Sequence, residues 1–164
     1  MPCRKHPSFL SMTVAIKGTM LAALSCSFVL AAPAIKATEK KAVSLSPHLT
    51  ELVYAAGAGD HLLGVSEHSN YPPAVGTLPK VGSGVTPNVE RIALLGPDMI
   101  LAWGYKNSKD LYPALRKLNI PVHYHAPASL DRIIQDIEEL GALFGTQAAA
   151  DATARELREI LRST

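Results

Sequence analysis

The sequence holds two cysteines, Cys3 and Cys26, and both fall within its first 34 residues. The rest of the chain has no thiol, which excludes a disulfide framework and a cysteine metal site there. Cys26 is a poor lipoprotein cysteine, because Ala23-Leu24-Ser25 before it makes a weak lipobox and the apolar run continues past it. Catalytic signatures are also missing. There is no Gly-x-Ser-x-Gly motif and no glycine-rich phosphate loop after the first strand-like run. Glu67 stands alone among the strand ends, so no carboxylate pair is available for acid–base work. These absences argue against an enzyme. A one-sided charge is lacking too. The whole chain carries a net charge of +2, but three of its 16 basic residues and none of its 14 acidic ones precede residue 35. The remainder has 13 basic and 14 acidic residues, a balance of −1, so nothing favours a nucleic-acid partner.

What is present begins with a basic, apolar, small-residue order at the N-terminus. Arg4, Lys5 and Lys17 supply charge, residues 18–35 supply none, and Ala32-Pro33-Ala34 gives an A-x-A pattern. This order predicts a cleaved secretory signal over 1–34. A membrane anchor is the competing reading. The uncharged run only just reaches the ~18 residues needed to span, and its Ala, Ser and Thr content makes it weakly apolar. Translation from Met12 would leave a more usual short basic region.

After a polar linker at 38–41, short apolar runs alternate with stretches of helical periodicity. This predicts an α/β lobe with a parallel sheet flanked by helices. Strands are expected at 43–46, 62–66, 98–103 and 121–125. Ser46 as N-cap and Pro47 at the first helical position open a helix through Leu49, Leu52, Val53 and Ala56, ended by Gly57 and Gly59. Residues 70–84 form an irregular loop rich in Pro and Gly, of a length usually functional inside a compact domain. Helices follow at 88–95 and 109–118. Ser129 caps another, running to Phe144 with Ile133, Ile134, Ile137, Leu140 and Leu143 as its stripe and Gly141 and Gly145 marking its end. A last helix over 147–162 carries Ala150, Ala154, Leu157, Ile160 and Leu161, and the chain stops there with no cap or turn.

Each predicted strand runs into an imidazole or a ring: Pro47-His48, Glu67-His68, Trp103 with Tyr105 beyond, and His123 with His125. Ligands of open parallel α/β sheets sit outside the carboxyl ends of the strands, so these groups are expected on one binding rim. Trp103 is the sole tryptophan. Its place at a strand end favours a contact surface over a core position. The histidines include no i, i+4 helical pair and have no cysteine to help them. They are read as polar strand ends rather than as a metal site, although His123 and His125 share a strand face. Glu90, in the first turn of its helix, is explained by the macrodipole alone.

Taken together, the blocks Val-Ser-Leu-Ser-Pro-His-Leu-Thr-Glu-Leu at 43–52, Gly-Val-Ser-Glu-His-Ser-Asn-Tyr-Pro-Pro at 64–73, Val81-Gly82, Asn-Val-Glu-Arg-Ile at 88–92 and Pro-Asp-Met-Ile-Leu-Ala-Trp at 97–103 form a pattern. In this order they resemble the periplasmic cobalamin-binding proteins of ABC importers, within the wider group that binds ferric siderophores and haem. The resemblance covers residues 42–164. It implies two Rossmann-like lobes joined by a long helix, with the ligand clamped between them and no catalysis. Under it, 35–145 is the N-terminal lobe and 146–164 the start of the interlobe helix. The second lobe is then absent, through a truncated gene, a frameshift or a partial sequence.

Carried over by position, the ligand-binding residues are Pro47, His48, His68 and Trp103, and Glu90 matches an acidic residue that docks onto the permease. The expected ligand is cobalamin or a related corrinoid, transported rather than used as a cofactor. The membrane is reached only through the transporter. The family often has a tyrosine at the position of His68 and an aromatic at that of Gly84. A histidine at such a site can stack on a corrin edge or coordinate cobalt or haem iron. Two alternatives therefore stand beside the corrinoid reading. One is a haem or ferric siderophore on the same fold, and the other an exported zinc- or partner-binding domain using the same rim. The last helix would leave an apolar face uncovered, which predicts marginal stability or self-association.

Overall fold

The computed structural model describes residues 39–104 and 113–163. The expected signal, both cysteines, Tyr105 and the first part of the expected helix at 109–118 lie outside the described residues.

Four parallel strands form one sheet in the order β2-β1-β3-β4. They are β1 (Ala42–Ser44), β2 (Leu62–Val65), β3 (Met99–Trp103) and β4 (Val122–His125). Successive side chains of a strand point to opposite faces, and both faces here are apolar. Ala42, Met99 and Leu101 join Leu49 and Val53 of α1 (Pro47–Ala55), Ile137 and Leu140 of α3 (Leu130–Phe144), and Ala150 of α4 (Gln147–Ser163). On the other face Val43, Leu45, Ile100 and Ala102 meet Ile92 of α2 (Val89–Leu95), together with Val81 and Leu115. The result is a helix–sheet–helix lobe, the expected fold class. Among the described residues no helix is long and apolar enough to cross a membrane.

Several local expectations need correction. The helix expected over 109–118 is, in its described part, a 3-10 helix, Pro113–Leu118, and Asn119 beyond it takes a left-handed φ of 54°. Asparagine is among the few residues that visit this region routinely. The loop at 70–84 contains a 3-10 turn, Pro73–Thr77, and a bridge pairing Val65 with Lys80. Asn88 is the N-cap of α2, its Oδ1 accepting from the Arg91 N–H at 2.9 Å. Ile133 and Leu143 are only partly buried in the α3 stripe, whereas Asp136 is fully buried in it.

Gly141 does not end α3. It lies inside the helix, where a Cβ would collide with the Ala150 Cβ of α4. The end is made by Gly145 at φ 77°. Thr146 Oγ1 and Thr153 Oγ1 then donate to the carbonyls of Ala56 at 2.7 Å and Ala55 at 2.9 Å, tying α4 to α1. Beyond this contact Ile160 and Leu161 are exposed, as expected for the far end of the last helix. Leucine is a better helix former than glycine by about 1 kcal/mol, but overpacking costs about 1–3 kcal/mol. Gly141→Leu is therefore expected to lower stability by about 1 kcal/mol, read as a lower urea midpoint. An unchanged midpoint would show that α3 and α4 part without strain.

Candidate functional site

The chain passes from β1 outward to β2 and returns across β1 to β3. The strand order thus reverses between β1 and β3, and ligands of open α/β sheets bind at this switch, outside the carboxyl ends. A cavity of about 320 Å³ opens there. Leu45, Ser46 and Pro47 follow β1, Ser66 and His68 follow β2, Trp103 ends β3, and Gly84 and Val85 come from the loop before α2.

Of the expected ligand-binding residues, Pro47, His68 and Trp103 line this cavity. His68 is exposed, and Trp103 is 44% exposed although the four strand residues before it are buried. His48 does not line it. The imidazole stands beside Trp103, with ring centroids 4.5 Å apart and planes at 86°. Ser46 explains the placement. Its backbone occupies the N-cap of α1, but its side chain makes no capping bond, contrary to expectation. Ser46 Oγ and His48 Nδ1 instead share a hydrogen bond of 2.5 Å. Burial lowers the His48 pKa, opposed by the charge of Glu51, so the ring is neutral at pH 7.

His123 is not on this rim. It lines a separate hollow with Lys40, Asp98, Met99, Pro121 and Leu143, beside the beginnings of β3 and β4. Burial lowers its pKa as well, and His125 and Lys40 add to the effect. His125 is buried, with Nδ1 3.3 Å from Asp136 Oδ1. Arg132 Nη2 donates to Asp136 Oδ1 at 2.7 Å and to Glu139 Oε2 at 3.0 Å. Candidate ligand atoms of His125, Asp136 and Glu139 lie within 4.8 Å of one another, a donor set suited to a divalent cation. The guanidinium already bridges the two carboxylates, and a cation would have to displace it. His123, on the same strand as His125, is not part of this donor set.

Sequence reasoning missed the polar groups around the cavity. Thr50 Oγ1 lies 3.0 Å from Ser44 Oγ and 3.1 Å from Ser69 Oγ, and Ser69 Oγ lies 2.8 Å from Ser66 Oγ. All four residues are buried. They join α1 to the loops that carry Ser46 and His68. The signal was available for Ser66, directly after β2, and for Ser46, two residues after β1, but no local pattern marks Val85, a loop residue 87% exposed. Gly84 is explained by close approach. A Cβ there would lie 2.7 Å from the Leu45 carbonyl oxygen, so an aromatic at this position needs a different loop path. Glu90 is exposed in the first turn of α2, just beyond that loop.

Known proteins are similar to this chain in sequence and in fold. Over 122 residues the chain is 37% identical to the Vitamin B12-binding protein of Vibrio parahaemolyticus, covering 74% of this chain and 44% of that protein. It is similar in structure to the periplasmic vitamin B12 binding protein BtuF of Vibrio cholerae, with a TM-score of 0.68 and 36% identity over 76% of this chain and 49% of that one. A periplasmic heme binding protein from Pseudomonas aeruginosa gives a TM-score of 0.65 and 26% identity over 76% and 45%. The chain spans about half the length of the curated relatives it matches. The sequence profile of the periplasmic binding protein family matches residues 43–163, and the chain belongs to that family.

Proposed function

We propose that this chain is the cobalamin- or corrinoid-binding component of an ABC importer, acting by binding alone. The observation that carries the reading is the placement of Trp103, an exposed indole above a cavity at the β1/β3 switch, with Pro47 and His68 beside it. At about 320 Å³ the cavity is at the lower end of the ~300–1,000 Å³ of small-molecule sites. It therefore serves as one wall against a larger flat ligand. Indole and proline faces supply apolar contact, and Ser46 and Ser66 offer hydroxyls to ligand amides. In this reading 1–34 is a signal that directs the chain to the periplasm, 35–145 is the lobe, and 146–164 begins an interlobe helix. Glu90, exposed on α2, docks on the permease.

The test is equilibrium dialysis against cyanocobalamin. The purified chain is measured alone and joined at its C-terminus to the remaining half of the Vibrio cholerae relative. Weak binding by the chain and binding at least about a hundredfold tighter by the joined protein, a difference of about 2.7 kcal/mol, are expected. No binding by the joined protein would sink the corrinoid assignment.

The exposed His68 favours haem as a second reading, because imidazole is a ready ligand for haem iron. A Soret shift on haem addition that disappears in His68→Ala would favour it, whereas the same shift in both proteins would remove His68 as an iron ligand.

A further inference from the structure

We propose that His48 is a positioning residue for Trp103, holding the indole at the cavity mouth while Ser46 fixes the imidazole. The inference rests on the reading of this cavity as a ligand wall. His48 is half-buried and does not line the cavity, so its influence on a ligand passes through the two lining residues it touches, Trp103 and Ser46. The near-perpendicular contact with Trp103 is at an ordinary distance for a T-shaped pair. Ser46 turns its hydroxyl to Nδ1 of this ring rather than to the helix N–H groups its backbone position would let it cap. One end of the imidazole is thus tethered to the start of α1, and the ring spans from there to the end of β3.

The arrangement has a built-in reporter. Trp103 is the only tryptophan in the chain, and a protonated imidazole beside an indole quenches its fluorescence. The titratable groups acting on His48 are Glu51 on its own helix, His125 on β4 and Asp136 on α3. Because burial depresses the pKa in the folded chain, the ring stays neutral until the pH falls below the ordinary histidine value of about 6.5.

The experiment is tryptophan fluorescence of the purified chain, acidified from about pH 8 to about pH 4.5, with far-ultraviolet circular dichroism as the folding control. Wild type is expected to lose emission with a midpoint below about 6.5, and His48→Gln to show no such transition. His48→Phe keeps a ring against Trp103 without a titrating group. It is expected to retain the wild-type emission maximum and to lose the transition. In cyanocobalamin dialysis of the joined protein, His48→Gln should bind about tenfold more weakly and His48→Phe within about twofold of wild type, tenfold being about 1.4 kcal/mol. If His48→Gln does not fold, His48→Phe alone decides the pH transition. The same transition in either folded variant, or none in wild type, would overturn the proposal, as would wild-type affinity in His48→Gln. If no variant of the joined protein binds cyanocobalamin, wild type included, the corrinoid reading fails while the fluorescence result still judges the His48–Trp103 contact.

Discussion

Leu101→Ala is expected to remove about 3 kcal/mol of stability, within the ~2–5 kcal/mol of buried leucine truncations. Leu101 is fully buried in β3, which lies between β1 and β4. It stands in register with Ser44 and His123, and its carbonyl accepts from the Leu45 N–H at 2.9 Å. Its side chain belongs to the cluster in which α1, α3 and α4 meet the sheet. The loss therefore combines transfer of the missing methyl groups with a cavity that a strand paired on both edges cannot collapse to fill. Against the ~5–15 kcal/mol typical of a domain this is a large fraction. The measurement is urea denaturation, with a lower midpoint and an unchanged slope. Ile160→Ala, at a side chain 53% exposed, is the contrast and should stay within about 0.5 kcal/mol of wild type. Equal midpoints for the two variants would contradict the layer arrangement.

Trp103→Ala is expected to separate binding from stability in the opposite way. The indole is 44% exposed at the last residue of β3, so its removal should lower stability by only about 1 kcal/mol. If the cavity is the corrinoid wall, the same substitution removes its largest contact. Cyanocobalamin affinity should then fall about thirtyfold, roughly the 2 kcal/mol that defines a binding hot spot. Dialysis of the joined protein with and without the substitution provides the check, with the urea midpoint as control. Unchanged affinity would move the ligand away from the β1/β3 switch and with it the role proposed for His48.

The elements were largely legible because each carries a local signal. The alternation of apolar runs with helical stripes, the Pro47 start, the Ser129 cap and the Gly145 stop all depend on residues close in sequence, as does the cap at Asn88, a residue expected inside its helix. Both caps accept from the N–H three residues on, at 2.9 Å for Asn88 and 3.2 Å for Ser129. The readings that failed depend on contacts made only in the folded structure. Gly141 looked like a helix stop, yet its reason is Ala150 on another helix. Asp136 falls within a hydrophobic stripe and is buried only because Arg132 and His125 meet it there.

The site divides along the same line. The sequence by itself determined that rings and imidazoles follow strands, and in a parallel sheet every such group begins near one edge. It did not determine which of them share a cavity, because that depends on strand order, and strand order is set by how apolar faces pack. Packing put β1 beside β3. It brought Pro47, His68 and Trp103 around one opening, turned Ser46 toward His48 instead of the helix N–H groups, and left His123 at a separate hollow with Lys40 and Asp98.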